Sequence, residues 1–142
     1  MPAAFSRRRF LAFIGLAAAV PAASATPVAA QPAKIELLRR PVAGLPYYRY
    51  AEVAERIAPG MRLMLRREPW NQYDRRAIAV FTEDGAKLGY VPRIDNPALA
   101  ALMDSGHELS ARAAGPGRRD PTQLWMTVAL IDRRSVVSAT DG

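Results

Sequence analysis

The stretch "AIAVFTEDGAKLGYVP" constrains this chain most. Two apolar, β-rich segments flank "TEDG", in which Asp84-Gly85 supplies residues that tolerate a positive φ, so Ala77 to Val91 is predicted to form a tight antiparallel hairpin. Upstream, "MRLMLRRE" sets Met61, Leu63 and Leu65 against Arg62, Met64 and Arg66. That period of two is the pattern of a half-buried strand. "KIELLRRPVAG" reads as a first strand ending at Gly44, "HELSARA" and "LWMTVALID" as later ones, and "AGPGRRDPTQ" as the loop between those two.

Helices are fewer. Ala51 to Ala58 has a weak helical pattern stopped by Pro59-Gly60. "DNPALAALMDSG" is stronger: Asn96 suits the cap, Pro97 the first helical position and Gly106 the end, with Leu99, Leu102 and Met103 forming the apolar stripe. Five to six short strands with one or two short helices make the chain mainly β (α+β), a small β barrel or α+β fold. With 142 residues, half of them hydrophobic, it has room for one domain with a real core.

The N-terminus has the order of an export signal. Arg7, Arg8 and Arg9 precede an apolar run from Phe10 to Val20, and small residues follow. The run is shorter than the roughly 20 residues a membrane span needs. Ser6, Arg7, Arg8, Phe10 and Leu11 resemble the twin-arginine pattern S-R-R-x-F-L, with an ordinary secretory signal or an uncleaved anchor as alternatives. Cleavage after Ala25 or Ala30 satisfies the small-residue rule. The expected organisation is a signal over 1–25, a linker over 26–33, a domain over 34–132 and a flexible tail over 133–142, in a protein exported to the periplasm or beyond. Removing the signal takes Arg7, Arg8 and Arg9 from the 20 basic residues and none of the 13 acidic ones, so the charge falls from +7 to +4.

Chemistry is limited by what the chain lacks. It has no cysteine and a single histidine, His107, read here as a helix-end cation; this leaves no thiol nucleophile, no conventional triad and no cysteine or multi-histidine zinc site. No GxxxxGK[ST] or GxGxxG motif is present. The expectation is a non-catalytic protein without metal or cofactor.

The corner "REPWNQYDRRAIAV", Arg67 to Val80, carries what chemistry remains. Asn71 and Asp74 near Pro69 suit a turn, and Trp70 and Tyr73 suit the rim of a core. A carboxylate among aromatics and arginines also suits the end of a nucleic-acid strand, with stacking faces for bases, an acceptor for a hydroxyl and guanidinium groups for phosphates. Outside the signal every basic residue except Lys34 and Lys87 is arginine, which suits bidentate phosphate contacts.

"VAGLPYY" and "LRREPWNQYDRRAIAVFTEDGAKLGYVPR", with the helix after them, resemble the HIRAN domain, in which R/E-P-x-N-x-Y-D precedes A-I-x-V, a D-G turn and L-G-Y-[VI]-P. The likeness spans roughly Lys34 to Ile131. It implies a modified OB-like β barrel that binds single-stranded DNA at a free 3′ hydroxyl, with the terminal nucleotide between aromatic rings and an aspartate accepting from the hydroxyl. Asn71, Tyr73 and Asp74 match the family's loop motif, Tyr47 the tyrosine at the exit of the first strand, Arg93 a basic position, and Tyr90 the neighbouring position. ATP hydrolysis belongs to the translocases that carry such domains and is not implied for this chain.

Two departures stand out. Pro46 replaces an arginine that precedes the tyrosine pair, a loss of about 1.5 to 3 kcal/mol if it removes a charged phosphate contact. The aromatic that closes the family's pocket has no equivalent in "AGPGRRDPTQ". Arg49, Arg75 and Arg76 are candidate substitutes, and Arg118 and Arg119 a candidate phosphate clamp. Two functions follow for testing: a module for DNA 3′ ends, or an exported envelope module using the same groove for a protein or another anionic ligand.

Overall fold

The computed structural model describes residues 29–116 and 122–134. The segment expected to be an export signal, with Arg7 and Arg8, the loop arginines Arg118 and Arg119, and the residues beyond Arg134 lie outside the described residues.

Six strands form one antiparallel sheet: β1 Ala33–Pro41, β2 Arg62–Arg67, β3 Ile78–Thr82, β4 Lys87–Tyr90, β5 Leu109–Pro116 and β6 Leu124–Asp132, in the spatial order β1-β6-β5-β2-β3-β4. Two short helices accompany it, α1 Tyr50–Val53 and α2 Asn96–Asp104. The chain is thus mainly β, as expected. The hairpin closes at Thr82, whose backbone accepts from Gly85 N at 3.0 Å and donates to Ala86 at 2.9 Å, with Gly85 at φ 90°. In β2, Leu63 is buried between exposed Arg62 and Met64, so the alternation read from sequence selects the core face. Ile78 and Val80 of β3, Leu88 of β4, and Met126 and Val128 of β6 fill the core, and Leu99 of α2 packs onto it with Leu102 and Met103 alongside.

Several boundaries move. The first strand ends at Pro41 rather than Gly44, and Ala43 instead forms an isolated antiparallel bridge with Tyr90, through hydrogen bonds of 2.8 and 2.9 Å. That bridge links the two outer strands of the order, because Ala43 follows β1 and Tyr90 ends β4. Gly89 makes it possible: at φ 152° a Cβ there would stand 2.1 Å from the Ala43 carbonyl oxygen. The helix expected over Ala51 to Ala58 is one α turn followed by a 3-10 turn, Ala54–Arg56. The supposed loop from Ala114 begins as strand, because β5 continues to Pro116 beside Leu124. The cap of α2 is Asp95 rather than Asn96, so Pro97 takes the second helical position. His107 is exposed beyond the helix end, where its Nδ1 lies 3.0 Å from Ser105 Oγ.

Candidate functional site

The corner between β2 and β3 is held by its own side chains. Asn71 Oδ1 accepts from the amides of Tyr73 at 3.0 Å and Asp74 at 3.2 Å, while Asp74 Oδ1 accepts from the amide of Arg76 at 2.9 Å. These are side-chain turns of the kind that Asn and Asp favour. Arg67 fastens the corner from below. Its guanidinium grips both carboxylate oxygens of Asp104 on α2, at 2.9 and 3.1 Å, and donates to the carbonyls of Ala77 at 2.8 Å and Arg75 at 3.1 Å. Arg67 is therefore a structural clamp within the arginine pair.

Above the corner opens a cavity of about 590 Å³ that Asn71, Tyr73, Asp74, Tyr90 and Arg93 all line. The structure thus gathers these five expected residues on one surface, from the corner, from β4 and from the segment before α2. Tyr47 does not line it. That side chain is 86% exposed, and Tyr48 occupies the wall instead. The reason is local: Gly44 at φ 79° turns the chain into a 3-10 turn, Leu45–Tyr47, with Pro46 fitting its start. Residues three apart share a side of such a turn, so burying Leu45 brings Tyr48 inward and leaves Tyr47 outside. Tyr48 meets Tyr90 edge to face, with ring centroids 5.7 Å apart.

Three residues not assigned to the site from sequence support it, Glu68 and Asn96 on the wall and Lys87 outside the lining. Glu68, 7% exposed, accepts from Tyr90 Oη at 2.8 Å, Lys87 Nζ at 3.1 Å and Asn71 Nδ2 at 3.2 Å. Burial pushes the Glu68 carboxyl up, but the hydrogen bonds from Tyr90, Lys87 and Asn71 outweigh it and hold the group below the usual carboxylate range. Burial likewise pulls Lys87 down, and its bonds to Tyr90 and Glu68 reverse the shift, so the ammonium is held above its usual value. Burial raises the Tyr90 phenol, which keeps its proton to donate to Glu68. Lys87 Nζ also stands 5.0 Å from the Tyr48 ring centroid, a cation beside the tyrosine pair that Pro46 precedes.

Asn96 is the third, and its supposed capping role is replaced by another. The side chain is 3% exposed and donates to Asp74 Oδ2 at 2.7 Å. This bond and the amide of Arg76 hold the Asp74 carboxyl below its usual range. Arg93 adds a looser partner, with Nε 3.6 Å from Asp74 Oδ2 and its other end donating to the Tyr73 carbonyl at 3.0 Å. The Asp74 side chain stays 20% exposed, and a carboxylate has about four acceptor positions, so capacity remains toward the cavity.

The remaining arginines divide. Arg49 is paired with Glu52 at 2.9 Å. Arg75 and Arg76 are exposed and make no side-chain ion pair with a described residue. Arg75 also lines a neighbouring cavity of about 530 Å³ with Pro69, Trp70, Asn71 and Gln72.

The family model described as HIRAN domain matches residues 35–127. A crystal structure of a protein from Lactobacillus plantarum is 31% identical, covers 71% of this chain and 98% of its own, and superposes with a TM-score of 0.64. The crystal structure of the HIRAN domain of human HLTF is 22% identical, covers 76% of this chain and 88% of its own, and has a TM-score of 0.56. No curated protein matches the chain.

Proposed function

The chain belongs to the HIRAN domain family, and on that premise we propose that its cavity binds the 3′-hydroxyl end of single-stranded DNA without catalysing a reaction on it. The observation that carries this reading is the company Asp74 keeps: an ionised carboxylate on a cavity wall with Tyr48, Tyr73 and Tyr90 around it and Arg93 at its edge. The tyrosines offer stacking faces for a base, and Asp74 offers an acceptor for a hydroxyl proton.

The sign of the lining charge supports an unphosphorylated end. Glu68 and Asp74 are the carboxylates that line the cavity and Arg93 the guanidinium. Lys87 neutralises Glu68 at 3.1 Å, so the charge that a terminal phosphate placed against Asp74 would meet directly is a carboxylate, whereas a hydroxyl meets an acceptor. Arg75 and Arg76, exposed beside the corner, are the candidates for the phosphates that follow. Tyr47 is outside this cavity and is assigned no base contact, and Lys87 takes over the cation beside the tyrosine pair.

The reading includes a setting. The Ala43–Tyr90 bridge between the outer strands is compatible with an OB-like barrel, and the twin-arginine pattern with an exported protein. The exposure of Trp70 and Tyr73, 72% and 79%, favours the second reading, a groove for a protein partner in the envelope.

The discriminating experiment titrates the protein with labelled single strands ending in a 3′ hydroxyl or a 3′ phosphate, at low and moderate salt. The expected result is a preference for the hydroxyl of roughly ten- to hundredfold, the range of one hydrogen bond to a charged group, which Asp74→Asn removes. Equal affinity for both ends, or no binding at low salt, overturns the reading and favours a protein partner.

A further inference from the structure

The geometry points to a second nucleotide subsite beside the first, in which Trp70 stacks the base next to the 3′-terminal one and Arg75 holds the phosphate between them. This inference rests on the end-binding reading and adds to it a contact made by residues specific to this sequence, since Trp70 occupies an unspecified position of the R/E-P-x-N-x-Y-D pattern.

Three observations carry it. First, the two cavities, of about 590 and 530 Å³, adjoin: Trp70, Asn71 and Gln72 line both. The indole stands at the divide between them and is 72% exposed, too open to serve the core. A large aromatic face left in water beside a stacking pocket is what a second base requires.

Second, the charge differs from one cavity to the next. The inner one is balanced, with Asp74 facing Arg93 and Glu68 paired with Lys87 behind it, whereas Arg75, without an ion-pair partner among the described residues, is the charged residue lining the outer one. A strand entering 3′ end first carries no phosphate at its terminal hydroxyl and one phosphate before the next base. The inner cavity suits the first group and the outer cavity the second.

Third, the platform is rigid before any ligand arrives. Arg67 holds the Arg75 carbonyl at 3.1 Å, and Asn71 holds the amides of Tyr73 and Asp74, so the backbone that presents Trp70 and Arg75 is fixed at both ends. The Arg75 guanidinium itself has no ion-pair partner among the described residues. What binding has left to order is the two side chains, not the backbone that carries them.

The test uses short thymidine oligonucleotides with a free 3′ hydroxyl in which the residue next to the 3′ end is either intact or abasic. The protein is expected to prefer the intact strand by roughly 5- to 150-fold, the range for stacking one base on an aromatic side chain. Trp70→Ala should bring that ratio to about one, and Trp70→Phe should restore much of it; the ratio is the readout, since Trp70 also lines the inner cavity and its loss lowers the affinity for the abasic strand as well. Arg75→Gln should weaken both strands and lower the salt slope by about one phosphate. An intact-to-abasic ratio of one in the unaltered protein, or one that survives in Trp70→Ala, overturns the second subsite. The end-binding reading then stands as long as hydroxyl and phosphate ends are still distinguished. No binding of either strand overturns both.

Discussion

The side-chain amide of Asn96 donates to Oδ2 of Asp74 at 2.7 Å, fastening the first turn of α2 to the corner between β2 and β3. The cavity's central acceptor is therefore aimed by a helix whose other end, through Asp104, also holds the Arg67 clamp. Asn96→Ala should lower unfolding stability by about 2 kcal/mol, the cost of a buried charged hydrogen bond. Urea melts measure the loss. Asn96→Asp should be worse, because it sets a second carboxylate against the first.

Acid should reach the same groups. Glu68 and Asp74 have folded-state values below their unfolded ones, which lie near about 4.3 and 3.9. The folded protein then binds fewer protons, so their contribution is complete above about pH 5 and is lost as pH falls through the folded values. Lys87 has the opposite sign: its folded value is raised, so its contribution holds below the ordinary lysine value and fades above the folded one. Melts between pH 7 and pH 3 should show a decline that is shallower in Glu68→Gln.

Removing Glu68 altogether has a different consequence. Glu68→Ala leaves Lys87, with only 24% of its side chain exposed, without its carboxylate partner. A loss of about 3 kcal/mol is expected, as when one member of a buried ion pair is deleted. Glu68→Gln should lose less, because an amide oxygen still accepts from Tyr90 or Lys87.

Gly89→Ala tests the bridge between the outer strands. The added methyl would stand 2.1 Å from the Ala43 carbonyl oxygen at φ 152°. Overpacking and backbone strain together should cost about 2 to 6 kcal/mol. Faster amide exchange at Ala43 and Tyr90 than elsewhere in the sheet would locate the damage.

The two neighbouring tyrosines should separate cleanly. Tyr48→Ala should weaken oligonucleotide binding by roughly 5- to 150-fold if it stacks a base, whereas Tyr47→Ala should leave it unchanged. Fluorescence anisotropy with a labelled strand decides between them.

The elements that depend on local chemistry were legible. Asp84-Gly85 announced the hairpin, the alternation around Leu63 announced β2, and Asn71 beside Pro69 announced a side-chain-held turn. What escaped sequence reading depends on residues far apart in the chain. Asn96 resembles a cap in any helix that starts Asp-Asn-Pro, and only the folded sheet, by delivering Asp74 to it, gives it another partner. Glu68 looked like the end of a charged strand until the fold set Lys87 and Tyr90 against it. The choice between Tyr47 and Tyr48 turned on the rotation of one 3-10 turn, which the order of residues does not disclose. Arg67 was indistinguishable by composition from Arg75 and Arg76, which make no side-chain ion pair among the described residues.

Tyr90 belongs to two structures at once: its backbone bridges Ala43 across the outer strands, and its phenol anchors the wall of the cavity. The pocket therefore sits on the seam between the sheet's two outer strands. A strand end lodged there would act as a rivet, so occupancy should register as mechanical toughness of the whole domain rather than as the quieting of one loop.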